Sequence, residues 1–131
     1  MPIHVERDAR YQWLTATATG VITIEMVLEL LRTARAPIER RMMPMLFDAS
    51  SATTSMTDAD VRSAVDVVRR AEASGPRGHV AMVAGDNRFY TLLLMYEVQC
   101  AEAGVHYLRV FRQRGDAERW LEAMSAARNF S

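Results

Sequence analysis

The chain has 131 residues, of which 50% are hydrophobic and 24% charged, a size and composition that predict one compact domain over residues 1–131. Sixteen basic and sixteen acidic residues give a formal net charge of zero. The positive excess on which nonspecific nucleic-acid binding depends is therefore missing, and we expect no nucleic-acid partner.

The first residues, 1–6, lack the basic start and the apolar run of a signal peptide. No stretch approaches the roughly 20 apolar residues that span a bilayer. We therefore expect a soluble, cytoplasmic protein that does not span a membrane. The single cysteine, Cys100, is consistent with a domain that folds without disulfides.

Apolar periodicity and turn residues predict an α/β domain with the element order ββαβαβαβα. The predicted strands are residues 3–7, 11–19, 43–47, 80–84 and 106–111. Gly20 is expected to end the second strand, and residues 48–57, which are small and polar, are predicted to form a loop. The alternation of strands and helices implies a largely parallel sheet that begins with an N-terminal hairpin.

Each predicted helix has a recognisable start or stop. Helix one begins near Thr23 and is stopped by Pro37, and helix two begins at Thr57 and stops at residues 75–76. Helix three follows the turn at residues 85–87 and ends at Gly104. Helix four begins near Asp116 and aligns four apolar residues, which are Ala117, Trp120, Leu121 and Met124.

Both sides of the predicted sheet are largely apolar. If the strands lie in sequence order, crossovers of one hand place their helices on one face of the sheet. The second face then needs another cover, and a large flat apolar surface is a candidate interface.

Three segments together resemble the SpoIIAA-like proteins, which are bacterial relatives of STAS domains with a fold similar to the CRAL-TRIO (Sec14-type) lipid-binding domains. These segments are residues 20–25 after the hairpin, the end of strand three at Asp48, and residues 110–111 with Ala117, Trp120 and Leu121. The resemblance covers nearly the whole chain and implies this fold. Most members of the group have no assigned activity.

The resemblance also implies a candidate phosphorylation site. In anti-sigma-factor antagonists of the STAS type, strand three runs into an Asp-Ser-Ser-Gly-type motif whose second serine is phosphorylated by a partner kinase. Residues 48–51 correspond to that motif, and Ser50 falls at the phospho-acceptor position. Ala49 and Ser51 replace the first serine and the glycine of the motif.

No arrangement of residues predicts catalysis, so we expect a protein that is not an enzyme and needs no cofactor. His79 and His106 begin strands four and five, whereas Ser50 follows the end of strand three at the opposite edge of a parallel sheet. A separation of roughly 16 Å excludes a hydrogen bond between a serine and a histidine. The same two histidines lack a third ligand, and we predict no metal site.

The carboxyl edge of the sheet is the usual ligand-binding edge of open α/β folds. Three predicted loops meet there, and their side chains are suited to hold a phosphate or a carboxylate. The candidate anion-binding residues are Asp48, Ser51, Thr54, Arg88, Arg112 and Arg114. Solvated loop residues without a ligand are the alternative.

Residues 89–96 of helix three are apolar on all sides, unlike an ordinary surface helix. The residues expected in an apolar pocket or interface are Phe89, Tyr90, Leu93, Leu94, Tyr96, Met45 and Tyr107. One hypothesis is a non-enzymatic STAS-like module that forms a homodimer through helix three or the sheet face and docks a regulatory protein partner. The alternative is a carrier or sensor of a small apolar or amphiphilic molecule, with Tyr90, Tyr96 or Arg88 as the polar end.

Overall fold

The computed structural model of the chain describes residues 2–72 and 77–129. Five strands form one sheet in the order β1-β2-β3-β4-β5. The strands are β1 (Ile3–Asp8), β2 (Trp13–Ile22), β3 (Met45–Thr54), β4 (Val80–Ala84) and β5 (Leu108–Phe111). β1 and β2 form the antiparallel hairpin, and the other neighbours are parallel. The predicted α/β class and element order are confirmed.

Within the described residues, four α-helices connect and follow these strands: α1 (Ile24–Thr33), α2 (Asp58–Ala71), α3 (Asn87–Glu102) and α4 (Arg114–Asn129). A short 3-10 turn (Ile38–Arg40) follows α1. Side-chain caps explain where three of the helices begin, because an oxygen of the N-cap residue accepts a free backbone N–H of the first turn. These N-cap residues are Thr23, Thr57 and Asp86.

The two faces of the sheet are covered by different helices. Buried residues of α1, α2 and α3 share one core cluster with β2, β3 and β4, including Leu30, Val65 and Phe89. On the opposite face Ala117 and Leu121 of α4 pack with residues of β2, β3 and β4. The cover required for the second face is therefore α4 of the same chain, and the sheet face expected as a dimer interface is occupied.

Two strand ends differ from the sequence prediction. β2 does not stop at Gly20 but continues to Ile22, with Gly20 at φ +74° and a register shift between Thr17 and Thr19. β3 continues to Thr54, so most of the predicted loop at residues 48–57 is strand. The two extensions pair with each other, and this pairing overrides the turn-like composition because it satisfies the backbone hydrogen bonds of both.

Smaller differences concern where elements begin and end. α1 ends at Thr33, before Pro37, and α4 begins at Arg114 instead of Asp116. β2, β3 and β5 each begin two residues later than predicted. The predicted stop of α2 at residues 75–76 lies outside the described residues.

The apolar segment of α3 is buried on one side only. Phe89, Leu93 and Tyr96 face the core, whereas Leu94 is 37% exposed and Val98 is 52% exposed. No helix among residues 2–72 and 77–129 is long and apolar enough to cross a membrane.

The covering of the second face by α4 can be tested with Leu121→Ala. Leu121 is fully buried, and its truncation leaves a cavity, so we expect a loss of about 2–5 kcal/mol in the free energy of unfolding. Glu122→Ala, on the exposed side of the same helix, should change it by less than about 0.5 kcal/mol. Urea unfolding measures both, and equal small effects would contradict this packing.

Candidate functional site

Asp48 lies near the carboxyl edge of the sheet, and its carboxylate is 9% exposed. Oδ1 accepts hydrogen bonds from the Ser50 backbone N–H at 3.0 Å and from the Ser50 hydroxyl at 2.6 Å. Oδ2 accepts from Arg114 Nη1 at 3.1 Å. The structure thus brings three predicted site residues together.

The electrostatics of this cluster do not favour nucleophilic catalysis. Burial by itself would raise the pKa of Asp48, but the hydrogen bonds from Ser50 and the charge of Arg114 outweigh it, and the pKa lies below its usual value. A carboxylate with a lowered pKa is a weak base and does not activate the Ser50 hydroxyl. His79 lies at the other edge, where its carbonyl accepts from the Met45 N–H.

Ser50 is exposed on β3, and α2 begins only at Asp58, beyond the end of the strand. The hydroxyl of a strand residue is thus separated from the helix start by residues 51–57. The role of Ser50 as a phospho-acceptor stays a prediction.

The predicted anion-binding residues are not loop residues, with one exception. Asp48, Ser51 and Thr54 belong to β3, Arg88 to α3 and Arg114 to α4; Arg112 lies between β5 and α4. For Asp48, Ser51 and Thr54 the difference arises because pairing between β2 and β3 extends both strands through a segment whose polar composition predicts a loop.

Most of these side chains bind groups of the protein itself. Arg88 Nη2 donates to the Met56 carbonyl at 2.7 Å, and the Thr54 hydroxyl donates to the Ile22 carbonyl at 2.8 Å. Arg112 donates to the carbonyl of Gly85 at 2.9 Å, and its guanidinium lies over the Tyr90 ring at 4.1 Å. These contacts are typical of a structural role, and anion binding at this edge stays a prediction.

A cavity of about 80 Å³, hereafter the apolar cavity, lies between the sheet and helices α1, α2 and α3. Its walls are almost entirely aliphatic, aromatic and thioether side chains. The lining residues are Val27, Leu30, Leu31, Arg35, Met45, Phe47, Met56, Val61, Ala64, Val68, Val80, Met82, Phe89, Leu92, Leu93, Tyr96, Tyr107 and Leu108.

Five of the residues expected in an apolar pocket or interface line this cavity, namely Met45, Phe89, Leu93, Tyr96 and Tyr107. Tyr90 and Leu94 do not. Tyr90 packs beneath Arg112, and Leu94 points to the outer side of α3. Three residues were expected to form the polar end of a ligand site. Of these, Tyr96 lines the cavity, and Arg88 and Tyr90 do not.

Sequence reasoning missed Arg35, the charged residue of the cavity wall. Its Nη1 donates to the Gly78 carbonyl at 2.9 Å and to the Met43 carbonyl at 3.3 Å, which places it at the amino edge of β3 and β4. The sequence contains an indication that Arg35 faces the core, because Arg35 continues the i, i+4 series of Val27 and Leu31 on the apolar side of α1.

Cys100 is fully buried on α3, and burial raises the pKa of its thiol to about 12. The thiol is therefore protonated at neutral pH and is a poor nucleophile. Among the described residues no group of three or more His, Cys, Asp or Glu side chains could hold a metal ion.

The ion pair of Asp48 predicts a specific pH dependence of stability. The pKa of Asp48 is lower in the folded state than in the unfolded chain. The ionised carboxylate therefore stabilises the fold above the unfolded-state pKa of about 4, and this stabilisation is lost as the pH falls through the folded-state pKa. We expect Asp48→Asn to remove this part of the acid sensitivity, as measured by urea unfolding between pH 7 and pH 2.5. Asp66→Asn, an exposed carboxylate on α2, is the control and should keep the wild-type slope. An unchanged slope in Asp48→Asn would contradict the assignment.

Neither the family models nor the curated proteins include a match to this chain. Among solved structures, the chain is similar to an uncharacterized protein of the DUF3478 family with a SpoIIAA-like fold from Shewanella loihica PV-4. The TM-score is 0.50, the sequence identity is 22%, and 91% of each chain is covered. A likeness at this identity concerns the fold alone. The chain therefore has a SpoIIAA-like α/β fold, which is the fold that its sequence resemblance implied.

Proposed function

We propose that this protein is a non-enzymatic binding module that takes up a small, mainly apolar molecule between the sheet and helices α1, α2 and α3. The observation that carries the proposal is the apolar cavity, because it is lined almost entirely by apolar side chains from the sheet and from three helices that share one core cluster.

An empty cavity has an energetic cost. Unfilled volume in a protein core destabilises the fold by about 24 cal/mol per Å³, so a cavity of this size costs about 2 kcal/mol. A ligand that restores the missing contacts would recover part of this free energy on binding. That gain would add to the affinity of a ligand that fits the cavity.

The size of the cavity restricts the ligand. Sites for drug-sized molecules are about 300 Å³ or larger, and an engineered apolar cavity of about 150 Å³ accepts benzene. The apolar cavity is smaller than either and suits an apolar group of about four carbon atoms. Three thioether side chains in the wall, from Met45, Met56 and Met82, can adjust to different shapes.

Binding without catalysis fits the chemistry of the buried polar groups. The Cys100 thiol is held in its protonated form, and burial likewise raises the pKa of Tyr107 to about 12. Neither group is poised to exchange a proton near neutral pH.

Ala64→Leu tests the cavity directly. Ala64 lies in the cavity wall on α2, and the larger side chain should fill the space. With 2-methylpropan-1-ol as the probe, we expect saturable amide shifts around the cavity in a ¹H-¹⁵N NMR titration of the wild type and none in the variant.

Ala59→Leu is the matched control, because residue 59 is exposed on the same helix and should leave probe binding unchanged. If Ala64→Leu does not fold, Ala64→Val fills less space and should weaken binding partially. A wild type without saturable shifts, or an Ala64→Leu variant that binds equally well, would refute the proposal.

A second candidate function is association, with another copy or with a regulatory protein partner. Leu94 and Val98 are exposed and lie four residues apart on the outer side of α3. Two such neighbours form a short apolar strip suitable for packing against another surface. Because Leu93 faces the apolar cavity, Leu94 is the residue that probes this surface.

We expect Leu94→Glu to convert a homodimer into monomers without loss of folding, since the change places a charge in the strip. Native mass spectrometry of the freshly purified protein measures the subunit number and any retained small molecule. Ala59→Glu, at an exposed position on α2 away from the strip, controls for added charge. A folded Leu94→Glu variant that remains dimeric would exclude this strip as the interface.

A further inference from the structure

A second, smaller cavity of about 30 Å³ adjoins the apolar cavity at the amino edge of the sheet, and we name it the polar annex. The two spaces share wall residues, including Arg35, Tyr107 and Leu31. Arg77 lines only the annex. The annex therefore extends the apolar cavity into a region that contains two guanidinium groups.

Neither arginine has a carboxylate within ion-pair distance in the described part of the chain. Within the described residues, Arg35 donates two hydrogen bonds, both from Nη1 to neutral carbonyl groups, and its guanidinium lies 5.9 Å from the centre of the Tyr107 ring. Arg77 Nε is buried without a hydrogen-bond partner. Neither residue forms an ion pair with another residue in the ranges 2–72 and 77–129.

Partly buried cations without counter-ions are unfavourable. Burial lowers the pKa of Arg35, and Arg77 lowers it further because the two charges repel each other. The nearby carboxylate of Glu72 raises the pKa of Arg35. Glu72 Oε1 is itself buried without a hydrogen-bond partner. Two guanidinium groups and one carboxylate leave one net positive charge, which a single anionic group would balance.

We propose that the ligand of the apolar cavity is a short-chain carboxylate whose hydrocarbon part fills the apolar cavity and whose carboxylate is bound in the polar annex by Arg35 and Arg77. This inference rests on the proposed function, and it adds the chemical class and the orientation of the ligand.

A carboxylate fits the annex better than a larger anion does. The annex volume is about that of one water molecule in the liquid, which accommodates one small planar group. A planar carboxylate matches the fork of N–H donors on a guanidinium group. A phosphate dianion is bulkier, and it carries one negative charge more than is needed to balance the two guanidinium groups and the nearby Glu72.

The experiment compares 3-methylbutanoate with 3-methylbutanamide, which has the same carbon skeleton and no charge. In NMR titrations of the wild type at pH 7, we expect the acid to bind about tenfold more tightly than the amide, because hydrogen bonds to a charged group are the stronger ones. With so few atoms, the dissociation constant of the acid should be on the order of 1 mM.

Arg35→Met and Arg77→Met remove the charges and keep most of the apolar stem of each side chain. Each variant should lose the preference for the acid and retain the affinity for the amide. Arg62→Met, at an exposed position on α2, is the control and should keep the tenfold preference. Because Arg35 also links the segments before β3 and β4, Arg77→Met decides alone if Arg35→Met does not fold.

The outcomes separate this inference from the proposed function. Equal binding of acid and amide, unchanged in both arginine variants, would overturn the carboxylate assignment and leave apolar binding in place. Binding of neither probe, together with no binding of 2-methylpropan-1-ol, would overturn both. An acid preference that persists in Arg77→Met and Arg35→Met would also refute the assigned position of the carboxylate.

Discussion

The sequential order of the strands is the constraint on which the rest of the structure depends. Parallel strands that follow one another across a sheet need crossovers of the same hand, so their helices all lie on one face. Helices α1, α2 and α3 therefore pack together over β2, β3 and β4, and the apolar cavity lies between them and the sheet. The second face is covered by α4, which follows the last strand and is not restricted by a crossover.

The sequential strand order also leaves no ligand-binding crevice at the carboxyl edge of the sheet. A doubly wound sheet has a crevice at its carboxyl edge where the strand order reverses, and a sequential sheet has no such reversal. At the carboxyl edge of this chain, Asp48 pairs with Arg114, and Arg88 and Arg112 donate hydrogen bonds to backbone carbonyl groups. At the amino edge, Arg35 and Arg77 line a cavity, and neither forms an ion pair with another described residue.

At the amino edge of the sheet, the backbone segments that precede β3 and β4 pack closely against each other. A side chain at Gly78 would collide with the carbonyl groups of Met42 and Met43, so only glycine allows the segments before β3 and β4 to approach this closely. That approach places the carbonyl groups of Met43 and Gly78 within reach of one guanidinium nitrogen of Arg35. The position of the charge at the cavity thus depends on a glycine 43 residues away in the chain.

Local signals in the sequence determined the type and order of the elements and the beginnings of α1, α2 and α3. Caps such as Thr57 and apolar series such as Val61, Ala64, Val65 and Val68 act within a few residues, and the structure agrees with them. The extension of β3 to Thr54 and the identity of the buried side of α3 depend on which partner each residue meets.

The residues of the candidate site also divide into those that the sequence predicts and those that only the tertiary structure places. Five wall residues of the apolar cavity were expected in an apolar pocket or interface, because they belong to segments of helix three and of strands three and five that are largely apolar. The role of Arg35 was not predicted, because an arginine at the end of an apolar series is equally compatible with a solvated helix end. Only the tertiary structure places it against Gly78 and Tyr107, since long-range packing brings these residues together from separate elements.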